Sequence, residues 1–378
     1  MNELQVAREI HRRAIVVDLH ADTPQRFLDE HIDWSTRLPD GHLDIPRMKA
    51  GGLAAEFFAL WVQPKFKGHD LARALTLADA LHTAITAHPE EIALARTAAD
   101  IRRLHKEGRI AALVAIEGGH AIEDDLGVLT AFYNLGVRYM TLTWAFHNNW
   151  ADASTEPPRH NGLTDFGRSV VRRMNDLGMI VDISHVSDKT FYDVLEISRA
   201  PIVATHSCCR ALCDVPRNMS DQMIRDLASR GGVIHINFHE GFLSQKYVDA
   251  RRPFKEEMDG EEHAMEERYK DDPATAAKEL RKLLPKHEAR LPRPTVADVA
   301  DHIDHVKKLV GVSHIGIGSD FDGAFMPVGL EGADELPNLT AELLRRGYAE
   351  AELLQILGEN TLRVMQQVEN AARPIGRQ

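Results

Sequence analysis

Eight short apolar segments recur along the chain, and segments with helical periodicity lie between them. The apolar segments cover residues 15–19, 54–62, 110–116, 137–144, 179–185, 201–206, 231–238 and 314–320. Apolar strands that alternate with helices form a parallel sheet whose faces are covered by the helices. Eight such units favour a closed (β/α)8 barrel over an open sheet of six strands. We therefore predict an α/β fold of the TIM-barrel type, built as one domain over residues 1–378.

The regions outside these strands carry the predicted helices and one long insertion. Residues 241–290, between the seventh and eighth strands, interrupt the alternation and carry acidic pairs such as Glu256-Glu257 and Glu261-Glu262. They predict a charged helical insertion, which is either a solvated surface addition or a lid over the site. Helices are predicted at residues 3–14, 69–106, 161–177, 188–198, 219–229, 295–310, 339–346 and 348–368.

Composition restricts the classes of partner. The chain has 45 Lys and Arg against 57 Asp and Glu, a formal net charge of −12, and no compact basic run. This balance argues against nucleic acid or an anionic membrane as a partner and favours a small-molecule substrate. No apolar stretch reaches the roughly 20 residues that a membrane helix needs, and the polar start does not resemble a signal peptide. We therefore expect a cytoplasmic protein.

Polar residues follow five of the predicted strands at the point where each strand ends. The chemistry of a (β/α)8 barrel lies at the carboxyl ends of its strands, so these side chains are expected to meet there. Side chains two residues apart on a strand share a face, so His20 and Asp22 should lie side by side. The residues are His20 and Asp22 after the first strand, Glu117 after the third, His185 after the fifth, His206 after the sixth and Asp320 after the eighth.

Three histidines, one aspartate and one glutamate are sufficient ligands for two divalent ions. In this interpretation Glu117 bridges the ions, His20 and Asp22 bind one of them, and His185 and His206 bind the other. Two ions about 3.5–4 Å apart can share and ionise one water, which supplies a hydroxide nucleophile at neutral pH. A further carboxylate is then left beside the ions. Its position suits general acid–base catalysis by Asp320.

The motifs around these residues resemble those of the renal (membrane) dipeptidase family, peptidase family M19 of the amidohydrolase superfamily. The resemblance extends from about residue 14 to residue 365. The order and spacing of the motifs make it specific. They are Asp18-Leu19-His20-Ala21-Asp22, Glu117-Gly118-Gly119-His120, Ser184-His185-Val186-Ser187, His206-Ser207, Arg217-Asn218 and Gly318-Ser319-Asp320-Phe321-Asp322-Gly323.

The resemblance implies a binuclear zinc dipeptidase with a distorted (β/α)8 barrel, and it suggests a homodimer. It implies that Asp320 is the general acid–base and that Arg217 binds the C-terminal carboxylate of the substrate, a task that suits a guanidinium fork. It leaves open the side chains preferred and whether the second residue of the dipeptide has the D configuration. The ligands that it implies are His20, Asp22 and Glu117 for one zinc, and Glu117, His185 and His206 for the other.

One position departs from the family pattern. Mammalian members carry a histidine at the end of the fourth strand that contacts the substrate carbonyl, and this chain has Trp144 there. His147, three residues further on, is the candidate to take over that role. Two other functions stay open: hydrolysis of another amide or ester, such as an N-acyl amino acid, and metal-stabilised binding without catalysis. Arg217 predicts a free carboxylate on the ligand, and Asp320 favours catalysis over binding alone.

Overall fold

Parallel strands form the centre of the protein in the computed structural model, which describes residues 2–270 and 272–374. Residues 1, 271 and 375–378 of the predicted domain lie outside the described part. The strands found there are β1 Val16–Ala21, β2 Leu53–Trp61, β3 Ile92–Leu94, β4 Ile110–Glu117, β5 Val137–Thr141, β6 Ile180–Asp182, β7 Val203–Ser207, β8 Val233–Ile236 and β9 Ile315–Ile317.

Eight of these strands close into a ring. The order around it is β2, β1, β9, β8, β7, β6, β5 and β4, and β2 pairs with β4 to complete it. The closing pair runs in register from Ala55 opposite Ala111 to Trp61 opposite Glu117. Side chains such as Val17, Phe57 and Leu113 are fully buried, so the ring is a packed core. The prediction of a (β/α)8 barrel is confirmed.

Helices occupy the connections between the strands. They are α1 Glu3–Arg13, α2 Ile45–Gly51, α3 Asp70–Thr86, α4 Ala98–Lys106, α5 Leu126–Leu135, α6 Asp165–Leu177, α7 Asp188–Ile197, α8 Asp221–Ser229, α9 Glu240–Leu243, α10 Gln245–Arg251, α11 Lys255–Arg268, α12 Pro273–Glu288, α13 Val296–Val310, α14 Leu336–Arg345, α15 Glu350–Leu354 and α16 Asn360–Ala371. Several begin at a side-chain cap: Thr164, Ser187 and Ser220 each accept a hydrogen bond from the first turn of the helix that follows. Such caps satisfy backbone N–H groups that have no partner within the helix.

The predicted helix over residues 69–106 is wrong in its middle. The structure has α3, then the short strand β3, then α4, and β3 pairs with β4 outside the ring. Pro89 disfavours helical geometry at the residue before it, which explains the end of α3. Thr97 forms a capping box with Asp100, and this starts α4.

The insertion, residues 241–290, lies between β8 and β9 and is helical in its described part, as predicted. It contacts the loop that follows β1, because the Arg281 guanidinium donates to Glu30 at 3.0 Å and lies 3.2 Å from a carboxylate oxygen of Asp40. Within residues 2–270 and 272–374, no helix combines the length and the apolar character needed to cross a bilayer.

Candidate metal centre

The six polar residues predicted from strand ends meet at the carboxyl mouth of the barrel. They come from the ends of five strands of the ring, which explains why residues far apart in sequence converge. His20 lies in β1 and Asp22 just after it, Glu117 ends β4, His185 follows β6, His206 lies in β7 and Asp320 follows β9.

Glu117 is the centre of this cluster. Its Oε1 atom lies 2.9 Å from Nε2 of His185 and 3.5 Å from Nε2 of His206. Its Oε2 atom lies 3.4 Å from Nε2 of His20. The same His20 nitrogen is 3.7 Å from Oδ2 of Asp22 and 3.9 Å from Oδ1 of Asp320. The two oxygens of one carboxylate therefore face two different groups of ligand atoms.

The chemistry of these atoms fits divalent cations. His20 is fully buried, and within the described residues neither its Nε2 atom nor Oδ1 of Asp22 has a hydrogen-bond partner. Buried polar atoms without a partner are costly, and so is the mutual repulsion of the neighbouring carboxylates of Asp22, Glu117 and Asp320. Imidazole nitrogen and carboxylate oxygen are ordinary ligands of zinc and similar ions. Ligand atoms of His20, Glu117 and His206 lie within 4.8 Å of one another, as do those of His20, Asp22 and Asp320.

Burial shifts the proton affinities of the cluster. It raises the pKa of Glu117 to about 7 and raises the pKa of Asp22, to which Asp320 and Asp322 also contribute. Burial lowers the pKa values of His185 and His206 well below the ordinary histidine value, which keeps both rings neutral. Neutral imidazole is the form that binds a metal ion.

Polar partners behind two of the three histidines, His20 and His206, orient their rings. The Nδ1 atom of His206 is 2.8 Å from the Thr205 hydroxyl, which donates to Asp182 at 2.7 Å. The Nδ1 atom of His20 is 2.7 Å from the Tyr139 hydroxyl. Such partners fix the tautomer that leaves Nε2 free to bind, and they are a regular part of metal sites.

The backbone around the cluster is constrained as well. His185 and Asp320 both have a φ of 68°, in the left-handed region that residues other than glycine rarely adopt. Strain of this kind persists only where surrounding contacts impose it, and it is common at functional sites. At Gly323 an added Cβ would lie 1.9 Å from Oδ2 of Asp22 and 2.9 Å from Oδ1 of Asp320. Only glycine allows the loop after β9 to approach the carboxylates this closely.

Asp320 and Asp322 have different surroundings. Asp320 faces the cluster and accepts a hydrogen bond from Asn237 at 2.9 Å. Asp322 is buried beside the cluster and accepts hydrogen bonds from the Thr23 hydroxyl at 2.7 Å and the His42 backbone at 2.8 Å. Its carboxylate also lies 3.5 Å from Arg26. Asp322 therefore connects the loop after β9 to the segment after β1, whereas Asp320 directs one carboxylate oxygen at the cluster.

Arg217 lies beside the cluster, next to His206. Its guanidinium donates to the His206 carbonyl at 3.1 Å and stacks over the Phe242 ring, 5.0 Å from the ring centre. The side chain is only 6% exposed, and its Nε atom has no hydrogen-bond partner among the described residues. Burial lowers the pKa of this guanidinium. A buried cation with unused donors is suited to bind an anionic ligand.

The position after β5 holds an aromatic group. Trp144 has its ring centre 6.3 Å from that of His185, 4.8 Å from that of Trp61 and 5.6 Å from that of Phe146. His147 does not replace the missing histidine: its Nε2 donates to the Pro157 carbonyl at 2.7 Å and its Nδ1 accepts from the Ala153 backbone at 2.8 Å. Both ring nitrogens are thus used within the loop, because the chain turns back on itself there.

Two residues at the site were missed from the sequence. Asn237 lies directly after β8, and the strand-end rule that identified the other six residues also covers it. Tyr139 lies inside β5, where nothing in the local sequence distinguishes a tyrosine that reaches a histidine from one that packs in the core. The six predicted positions do come together, and their chemical roles remain predictions.

A (β/α)8 barrel whose strand ends carry histidines and carboxylates around one buried point is suited to metal-dependent hydrolysis. The sequence matches the membrane dipeptidase family, peptidase family M19, over residues 4–378, and the chain belongs to this family. It is accordingly a metallodipeptidase by class.

Individual relatives agree with this assignment. The chain is 34% identical over 346 residues to dipeptidase aclJ of Aspergillus oryzae, covering 89% of this chain and 72% of the relative. Among solved structures it resembles the probable dipeptidase PvdM of Pseudomonas aeruginosa, with a TM-score of 0.85, 27% identity and coverage of 98% and 99% of the two chains. It also resembles a metallopeptidase of Rhodobacter sphaeroides liganded with a phosphinate mimic of L-Ala-D-Ala, with a TM-score of 0.76, 28% identity and coverage of 94% and 99%.

Proposed function

We propose that this protein is a zinc dipeptidase that binds two ions per chain and hydrolyses the peptide bond of dipeptides. One observation carries the proposal: Glu117 directs one carboxylate oxygen at His185 and His206 and the other at His20. A carboxylate shared in this way is suited to bridge two ions. His20, Asp22 and Glu117 would hold one zinc, and Glu117, His185 and His206 the other.

Zinc ions bound here would polarise the scissile carbonyl and lower the pKa of a water. Asp320 accepts the proton of the attacking water as the water oxygen bonds to the carbonyl carbon. It then gives that proton to the amide nitrogen as the carbon–nitrogen bond breaks, which releases two amino acids. The Asn237 amide holds the second oxygen of Asp320 at 2.9 Å and so keeps the first oxygen aimed at the cluster.

Arg217 would bind the C-terminal carboxylate of the dipeptide, since its guanidinium is buried beside the cluster and keeps Nε unpaired among the described residues. A carboxylate is common to L and D residues, so this contact does not select between them. The Rhodobacter sphaeroides relative carries a mimic of L-Ala-D-Ala. We therefore include dipeptides with a D residue at the second position among the substrates.

Metal content tests the two-ion proposal. Protein reconstituted with zinc and then desalted should contain about two ions per chain by elemental analysis. The variant Glu117→Ala should lose both ions, because Glu117 alone is shared, while His20→Ala should weaken one site more than the other. Native protein without bound zinc, or Glu117→Ala protein with both ions, would overturn the assignment.

Substrate recognition is tested by comparing a dipeptide with its C-terminal amide. Amidation removes the charge and leaves a buried guanidinium unpaired, which costs about 2–5 kcal/mol, or roughly 30- to 5,000-fold in kcat/KM. The variant Arg217→Met should be slow on both compounds and discriminate little between them. Equal native rates would disprove the carboxylate contact. An N-acetyl amino acid in the same series tests the alternative amide substrate, since it keeps the carboxylate but lacks the free amine.

A further inference from the structure

A cavity of about 490 Å³ lies between the carboxyl ends of β2 and β5 and the insertion. Its barrel side is formed by the indoles of Trp61 and Trp144, whose ring centres are 4.8 Å apart. Its opposite side is formed by α12 of the insertion, through Ala276, Ala277 and Leu280. A volume of this size with aromatic and aliphatic walls is typical of a pocket for a small organic group.

The cavity is adjacent to the cluster. Trp61 is the register partner of Glu117 on the neighbouring strand, and the Trp144 ring centre is 6.3 Å from that of His185. In the ring order β2 lies opposite β7, and Arg217 lies in the loop that follows β7. A dipeptide with its carboxylate on Arg217 and its peptide bond at the cluster would therefore direct its first residue toward this cavity.

Charged side chains also line the cavity, among them Glu266, Glu267 and Lys270 of the insertion, and Lys270 lies 3.2 Å from Glu267. The rim carboxylates Asp29 and Glu30 already have cationic partners, because Arg73 lies 2.6 Å from Asp29 and Arg281 donates to Glu30 at 3.0 Å. They are therefore not available to pair with a cationic side chain of the substrate. The indoles of Trp61 and Trp144 and the aliphatic side chains of α12 gain most from burying another large apolar group.

Two polar atoms in the wall lack partners. The Nε1 atom of Trp61 and the Oε1 atom of Gln63 are buried, and neither has a hydrogen-bond partner within residues 2–270 and 272–374. Both residues line the cavity. Both atoms have almost no accessible surface, so an occupant of the cavity would contact the indole ring and the methylene groups of these residues and not the two polar atoms.

We propose that this cavity binds the side chain of the first residue of the substrate and selects a large apolar or aromatic one. Trp144 and the insertion are then specificity determinants: the indole that stands in place of a polar strand-end residue forms one wall, and α12 forms the facing wall. This assignment rests on the proposed dipeptide hydrolysis and adds the class of substrate to it.

The experiment compares kcat/KM for Phe-Ala and Ala-Ala, with zinc-loaded native protein and three variants. Ala277→Phe fills the cavity, Trp144→Ala removes a wall, and Ala264→Phe makes the matched change at an exposed alanine of the same insertion. The native protein should prefer Phe-Ala by roughly tenfold or more, the scale on which an apolar pocket discriminates. Both cavity variants should lose most of this ratio, because they should slow Phe-Ala hydrolysis more than Ala-Ala hydrolysis. The control should keep the native ratio.

Failure of the cavity assignment differs from failure of the proposed function. A native ratio near one, or a ratio that neither cavity variant changes, overturns the cavity assignment while dipeptide hydrolysis stands. No hydrolysis of either peptide by the native protein overturns the proposed function and this assignment together. Thermal unfolding of each variant checks that it is folded, and Trp144→Ala provides a second test if Ala277→Phe is not.

Discussion

The Nδ1 atom of His20 lies 2.7 Å from the hydroxyl oxygen of Tyr139, which leaves the other ring nitrogen facing the carboxylates of the barrel mouth. For Nε2 to offer a lone pair, Nδ1 must carry the hydrogen and donate it to the tyrosine oxygen. Burial acts to lower the pKa of His20, but Tyr139 and Glu117 beside the ring raise it above the ordinary value. A cation at Nε2 therefore competes with a proton for the same lone pair.

Tyr139→Phe tests this relationship. The change removes the acceptor and leaves Nδ1–H buried without a partner, so zinc affinity should fall about 10- to 100-fold, as for other partners of metal-bound histidines. Competition with a fluorescent chelator measures it. Tyr133→Phe, on α5, is the matched control and should keep native affinity. Equal affinities of the two variants would show that the hydroxyl does not orient His20.

The two aspartates after β9 should differ in what they affect. Asp320→Asn should keep metal and fold but lower kcat by roughly 100-fold or more, the scale of a lost general acid–base. Asp322→Asn removes a buried charge that pairs with Arg26, so its main effect should be a loss of about 3 kcal/mol of unfolding free energy. Steady-state kinetics and denaturant unfolding separate the two effects. The opposite pattern would make Asp322 the catalytic group.

Gly323→Ala should displace a carboxylate of the cluster. The added methyl group would lie 1.9 Å from Oδ2 of Asp22, and such contact forces Asp22 or the loop to move. We expect the zinc bound by His20 and Asp22 to be weakened by roughly tenfold or more, with the other ion retained. Elemental analysis after graded chelation measures both. Gly347→Ala is a control in which an added Cβ contacts nothing within 4 Å, although its φ of +84° brings some strain. Unchanged metal retention in Gly323→Ala would contradict the close approach.

Zinc should stabilise the fold more at high pH than at low pH. Burial raises the pKa of Glu117 from 4.5 to about 7 in the metal-free protein, so the folded state holds this proton more tightly than the unfolded chain does. The contribution of Glu117 to stability is present below pH 4.5 and is lost as pH rises through about 7. A bound cation compensates the ionised carboxylate, so the difference in Tm between zinc-loaded and chelated protein should be larger at about pH 8 than at about pH 5.5.

Scanning calorimetry at both pH values measures this difference. Glu117→Gln is the control, since its amide does not titrate, and the Tm of its chelated form should depend less on pH. A zinc effect on native protein that is independent of pH would contradict the link to Glu117.

The barrel and the six cluster positions could be predicted because both follow from local patterns. Apolar segments alternate with helices, and polar residues stand where strands end, so a rule about strand ends was sufficient for Glu117 and Asp320. The strand β3 was missed because three residues between two helices carry too little periodicity to outweigh a helical pattern. Contacts such as that of Tyr139 with His20 depend on the register between distant strands, which local pattern does not contain.

The backbone conformation at the site could not be predicted from the local sequence pattern either. His185 and Asp320 have positive φ values that their residue types disfavour. Such values persist only where surrounding tertiary contacts impose them. The hydrogen bonds of His147 also depend on tertiary structure, because a turn of the chain brings its partners Pro157 and Ala153 next to its ring.

The distribution of the cluster around the ring has a consequence for the order of folding. Its candidate ligands come from β1, β4, β6 and β7, and the backbone of Asp320 after β9 donates to the His20 carbonyl at 3.0 Å. A nascent chain therefore lacks the complete set of candidate ligands until β7 has been synthesised, and both Asp320 and the second neighbour of β1 are missing until β9 has been synthesised. A cation bound by this cluster would act late, on a nearly finished ring, and would favour the closed form over partly assembled ones by mass action.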